Sequence, residues 1–284
     1  MRRLGMKMRH TFDRLIILDY SGTLSLEATA FARPERLLEE LKISGLWELG
    51  VRTPGLFWER VVNPTWEAGS TTPVGYRELL RREVERLFPE RNRSVRQDRI
   101  RQAASRFVDR YLEHSRMDDV WRPLLQALSE KASAVLVVAT DHYAEATGAI
   151  IRFLQDWQIP AMPVTGPAAE GAPGRVLVAN SADLGAHKAD RRFWEAIHDR
   201  LRPSRPLRVL LVDDFGANEQ EGDAYAARDQ VEKRRRQIVA LLGDVFGGGV
   251  QEFFFRLEPE APPSLKARRV DEFSRAVDRF LEGD

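Results

Sequence analysis

Asp19 closes the short apolar run Arg14–Asp19, RLIILD, and is followed at once by the turn residues Ser21 and Gly22. A carboxylate in such a place can attack phosphorus and split one difficult hydrolysis into two displacements, provided a cation suppresses the repulsion between the two anions. Two other runs also end in chemically useful groups. AVLVVAT closes on Thr140, a hydroxyl donor, and LRVLLVDD closes on the paired carboxylates Asp213 and Asp214. Lys188, in GAHKADRRFW, adds a compact point charge. It stands out because the 44 basic residues comprise 38 arginines and six lysines.

All three runs are rich in β-branched residues, as buried parallel strands should be. Helical segments are expected between them, at 144–157 and at 190–201, where Phe193, Ile197 and Leu201 recur at helical spacing. Strands alternating with helices predict an α/β fold with a Rossmann-like parallel sheet core. In such sheets ligands sit at the carboxyl ends of the strands, so Asp19, Thr140 and Asp214 should converge there.

The stretch 27–116 has a different texture. Leu80, Val84, Leu87 and Phe88 form one apolar stripe, and Ile100, Ala103, Phe107 and Tyr111 form another. This predicts an inserted all-helical cap domain over 27–116, lying over the strand ends and shielding the site from water. The core domain is then 11–26 and 117–284. Within it, a helix is expected at 118–131, a highly charged helix at 224–242, a strand at 250–257, a loop at 258–263 and an amphipathic helix near 270–281.

Composition excludes several classes. With 43% hydrophobic and 31% charged residues, the chain has no apolar run near the roughly 18 residues of a membrane span. The basic opening MRRLGMKMRH lacks the apolar stretch of a secretory signal, and the cytoplasm is the expected compartment. A net charge of +1 supplies no global field for nucleic acid, and Arg81, Arg82 and the basic run 233–236 read as solvated helix faces. With no cysteine there is neither a disulfide nor a thiolate nucleophile.

LDYSGTL resembles the first motif of the haloacid dehalogenase (HAD) superfamily. Thr140, Lys188 and DDFGAN follow in the order of that superfamily's other motifs. The resemblance implies a hydrolase, most simply a phosphatase on a small phosphorylated substrate, with Asp19 as nucleophile and an aspartyl-phosphate intermediate. It implies Mg2+ held by Asp19, Asp214 and the backbone carbonyl of Ser21. Thr23, Thr140 and Lys188 would bind the phosphate, Asp213 would support them, and Asn218 would stand at the downstream acidic position.

The departure is Ser21, where phosphatases of the superfamily usually carry a second Asp as general acid. A serine hydroxyl cannot do that near neutral pH. Branches with a non-acidic residue there include phosphonate hydrolases, dehalogenases and P-type ATPases. The first would need a cap lysine, for which Lys42 is the sole candidate; the second would need a tyrosine at 21, whereas this one is Tyr20. A regulatory protein that binds phosphate and turns over poorly is the alternative. His142 and His187 flank the motifs as candidate acids or bases, though bystander roles are the simpler reading. Asp141 is placed to cap the helix after Thr140. The turn-rich stretch 66–76, WEAGSTTPVGY, is a candidate substrate-reading loop.

Overall fold

The computed structural model describes residues 12–88, 93–131, 133–166, 174–220, 228–257 and 261–283. Six strands, β1 (Arg14–Asp19), β2 (Ala134–Thr140), β3 (Ala161–Pro163), β4 (Val176–Asn180), β5 (Leu207–Asp213) and β6 (Gly247–Phe254), form one sheet in the order β3-β4-β2-β1-β5-β6. Every pairing is parallel. The α/β architecture expected from the strand–helix alternation is therefore present. β1 lies between β2 and β5, which brings the three chemically loaded strand ends side by side.

The sheet is buried on both faces, which is why its central strands read as unbroken apolar runs. Successive side chains alternate between the faces. Leu15, Ile17, Val209 and Leu211 pack with Phe193 and Trp194 on one side. Ile16, Leu18, Leu210 and Val212 pack on the other side with a larger cluster that includes Phe31, Phe57 and Phe107.

After β1 the described elements within residues 26–114 are all helical: α1 (Leu26–Phe31), α2 (Pro34–Ser44), α3 (Pro54–Phe57), a π-helical turn at Trp58–Val62, α4 (Asn63–Ser70), α5 (Tyr76–Leu87) and α6 (Arg93–His114). Their apolar stripes merge with the sheet into one cluster, so this helical insertion and the core share a continuous packed interior. The two crossings between them are tied together. Asp118 N donates to Leu24 O at 2.8 Å, and Leu26 N donates to the Asp118 carboxylate at 2.9 Å.

The core helices are α7 (Arg122–Ser129), α8 (Glu145–Asp156), α9 (Ser181–Leu184), α10 (Arg191–Leu201), α11 (Arg228–Phe246) and α12 (Pro263–Glu282). The helix expected at 118–131 opens as a 3-10 turn at Asp119–Trp121, and α7 follows with a proline in its first turn. The first four residues of the predicted helix 224–242, and residues 258–260 of the predicted loop, lie outside the described residues. β6 starts three residues earlier than expected, and α12 seven. No helix among the described residues is long and apolar enough to cross a membrane.

Candidate functional site

Strand alternation divides the work among the acidic residues. Asp19 continues the parity of Leu15 and Ile17, and Asp213 that of Val209 and Leu211, so both carboxylates point to the α10 side of the sheet. There they meet Lys188, whose Nζ donates to Asp19 Oδ1 at 2.6 Å and to Asp213 Oδ2 at 2.8 Å. The ammonium is almost completely buried, 2% exposed, so these pairs are little screened by solvent. Its backbone is fixed from both sides. Lys188 N donates to Asp141 Oδ1 at 2.8 Å, and Trp194 Nε1 donates to Lys188 O at 2.7 Å. Asp141 therefore does not cap α8 as expected from its position; Ala144 stands at that cap with no side-chain bond.

Asp214 has the opposite parity and lines the cavity above the sheet, while Asp213 does not. Its Oδ1 accepts from Gly216 N at 3.1 Å and its Oδ2 from Asn218 N at 2.8 Å. Opposite it, Gly22 adopts φ +78°, and a Cβ added there would come within 2.5 Å of Asp214 Oδ2. Only glycine permits both this backbone shape and so close an approach.

Thr23 and Asn218 sit differently from the expectation. Thr23 is fully buried, and its Oγ1 accepts from Asp214 N at 3.1 Å, so it props the loop from beneath and does not line the cavity. Asn218 spends its side chain on backbone groups, donating to Gly22 O at 2.7 Å and Phe255 O at 2.9 Å and accepting from Leu257 N at 3.0 Å. It clamps the loop and does not face the site. The carboxylate that does is its neighbour Glu219, to which Ser21 Oγ donates at 2.9 Å. Reading the sequence overlooked Glu219, although it lies in the same loop only five residues after Asp214.

The acidic groups crowd. Ligand atoms of Asp19, Asp213 and Asp214 all lie within 4.8 Å of one another. Burial pushes the Asp19 carboxyl up to about 7, with Lys188 pulling it down and Asp213 pushing it up. Burial likewise raises Asp214 well above the usual carboxylate range, reinforced by the charges of Asp19, Glu219 and Asp213. Fully ionised, three carboxylates against one ammonium would leave an excess of negative charge in a dry place. Asp19 Oδ2 is buried and accepts no hydrogen bond.

These features suit a small divalent cation. A hard ion such as Mg2+ takes one or two carboxylates and keeps its remaining positions for water and substrate oxygens. The Asp19 and Asp214 carboxylates are the side chains that could hold it, and the close approach of Gly22 to Asp214 fixes that carboxylate at the turn following Asp19.

Above the acids lies a cavity of about 850 Å3, counted out to open solvent, roofed by the helices between β1 and β2. Asp19, Ser21, Thr140, Lys188 and Asp214 all line it. So do Trp66 and Tyr76, the two ends of the stretch read as a loop; its first part is the end of α4, and the Thr71 and Thr72 hydroxyls bond back to their own helix. Lys42 is exposed on α2 and does not line the cavity. Tyr20 is buried with its hydroxyl donating to Ser115 O.

Both histidines have assignable structural partners. Tyr143 N donates to His142 Nδ1 at 2.9 Å, so Nε2 carries the proton and donates to Tyr111 Oη at 2.8 Å. Burial lowers His142 to about 4, leaving it neutral at pH 7. His187 bridges to α4, with Nε2 2.6 Å from Ser70 Oγ and its ring stacked on Trp66. The Arg81 and Arg82 guanidiniums pair with Glu78, and Arg235 and Arg236 with Glu232, so these helix faces carry mixed charge.

No family model matches the chain, and no curated protein matches it. Among solved structures it is similar to a 2-haloacid dehalogenase from Pseudomonas syringae pv. Tomato DC3000, at 18% identity over 75% of this chain and 83% of that one, with a TM-score of 0.46. It is also similar to the magnesium-bound HAD-hydrolase YfnB from Bacillus subtilis, at 15% identity over 76% and 86%, with a TM-score of 0.43.

Proposed function

We propose that this chain is a hydrolase of the HAD type that cleaves a small phosphate monoester through an aspartyl-phosphate on Asp19, with Mg2+ as cofactor. The observation that carries this reading is the state of the Asp19 carboxylate. One oxygen is held by Lys188, the other has no hydrogen-bond partner, and the residue lines the floor of the cavity. That is how a carboxylate nucleophile should be presented, oriented by one partner with its second oxygen left unbonded.

Lys188 orients Asp19 and offers positive charge to the phosphoryl oxygens, and Thr140 supplies a hydroxyl to the same end of the cavity. The bound cation would offset repulsion between the carboxylates and the phosphate. The roof helices exclude water while the ester bond breaks. Ser21 donates to Glu219, so Glu219 enters as an acceptor, suited to take a proton from the water that hydrolyses the intermediate.

The test is release of inorganic phosphate from a panel of monoesters, with and without Mg2+, by the natural chain and by Asp19→Asn. Magnesium-dependent release abolished by the substitution is expected. Undiminished release by Asp19→Asn would end the assignment of the nucleophile. The regulatory reading is favoured by the absence of an acid at Ser21. It would prevail if phosphorylated Asp19 accumulated and persisted for hours after a single exposure to substrate.

A further inference from the structure

The cavity over Asp19 has two ends of opposite character. At the sheet it is polar and acidic. Towards the roof its wall is made by Phe31, Phe57, Trp58, Trp66, Tyr76 and Phe107. Among the described residues that line it Lys188 is the single Lys or Arg, and its ammonium already bonds Asp19 and Asp213. A sugar phosphate would press hydroxyl groups against ring faces that cannot bond them. A second phosphate or carboxylate would meet carboxylates and, among the described lining residues, no further cation. A flat apolar group gains both from burial and from edge or face contact with the rings.

A second observation concerns the leaving group. The residue two places after the nucleophile is Ser21, whose hydroxyl donates to Glu219 and cannot protonate a departing oxygen at neutral pH. The Tyr111 hydroxyl, on another residue lining the cavity, has its ionisation suppressed by burial. An aliphatic alcohol ionises about as poorly as water, at about 15.7, and needs that proton. A phenol ionises near the ordinary tyrosine value, about 10, and departs as its anion far more readily.

We infer that the substrate is the monophosphate ester of an apolar phenol, an aryl phosphate with no second charged group. This rests on the phosphohydrolase reading above. In the first step an Asp19 oxygen bonds to phosphorus while the bond from phosphorus to the phenolic oxygen breaks. The electron pair leaves on that oxygen, and the aryloxide takes its proton from solvent. Water then adds to phosphorus, the bond to Asp19 breaks, and inorganic phosphate departs with the free carboxylate restored.

The experiment compares kcat/KM of the magnesium-loaded protein for 1-naphthyl phosphate, phenyl phosphate, benzyl phosphate, glucose 6-phosphate and acetyl phosphate. Acetyl phosphate carries neither an apolar group nor a poor leaving group, so it reports on Asp19 chemistry alone. The expected result is a preference for 1-naphthyl phosphate over glucose 6-phosphate on the order of 100-fold, narrowed by Trp58→Ala. Phenyl phosphate should be cleaved far faster than benzyl phosphate, a ratio that Ser21→Asp reduces by at least about tenfold. Asp19-dependent cleavage of acetyl phosphate without preference for the naphthyl ester would overturn this inference and leave the phosphohydrolase standing. Cleavage of none of the five would overturn both.

Discussion

The Ser21 hydroxyl donates to the Glu219 carboxylate across 2.9 Å, joining the turn after β1 to the loop after β5. The pair gives Glu219 an acceptor's role, so its loss should fall on the water step. Glu219→Gln is expected to slow steady-state turnover by about 10- to 1,000-fold while the first turnover keeps its rate. Rapid-quench kinetics should then show a burst of alcohol or phenol followed by a slow phase. Equal slowing of burst and steady state would remove Glu219 from that step.

Lys188 bridges two buried carboxylates at once, and replacing it with Met would leave Asp19 and Asp213 facing each other without a countercharge. Breaking a buried pair in this way costs about 3 kcal/mol or more, partly relieved when one carboxyl takes up a proton. Turnover should fall by at least about 100-fold, because both the orientation of Asp19 and the charge offered to phosphate are lost. Thermal unfolding and kcat measured on Lys188→Met check the two effects separately. Lys188→Arg should not restore kcat, since a planar fork does not fit where a point charge bridges two oxygens 2.6 and 2.8 Å away.

Metal binding should be tied to pH through the same acids. In the metal-free protein Asp19 is raised from 3.8 to about 7 and Asp214 is raised well above 3.8, so between these values the native state holds protons that the unfolded chain has released. The native state then binds more protons than the unfolded one, and metal-free stability falls as pH rises from about 4 to about 7. A cation binds the deprotonated carboxylates and reverses that trend. The gain in Tm on adding saturating Mg2+ should therefore be larger at pH 8 than at pH 5, with protons released on binding near neutrality. A gain independent of pH would separate the cation from these two acids.

The parts legible in the sequence were those governed by short-range periodicity. RLIILD, AVLVVAT and LRVLLVDD announce their strands because both faces of the sheet are covered, and their last residues meet because β1 lies between β2 and β5. β3 and β4 were not anticipated. Three and five residues are too few for a pattern, and a Gly- and Pro-rich stretch precedes β4. The contrast between Asn218 and Glu219 was equally hidden. Whether a loop residue turns towards a site or towards backbone carbonyls depends on partners such as Phe255 and Leu257, far along the chain. The aromatic roof comes from five separate helices and the π-helical turn between two of them, so it has no linear signature.

Gly22→Ala probes the candidate metal site without replacing a ligand side chain. The residue sits at φ +78°, where an L side chain costs about 1–2 kcal/mol, and its new methyl group would lie 2.5 Å from Asp214 Oδ2. Relief can come only by moving the Asp214 carboxylate, because the backbone there is pinned through Gly22 O to Asn218 and through Gly22 N to Ser25 O. Moving a ligand by a few tenths of an ångström should weaken Mg2+ affinity by about 10- to 100-fold, in the range seen when support around a metal ligand is lost. Titration calorimetry would measure that loss. The turnover remaining at saturating Mg2+ would show whether Asp19 kept its own geometry, as the separate hold of Lys188 on Oδ1 predicts.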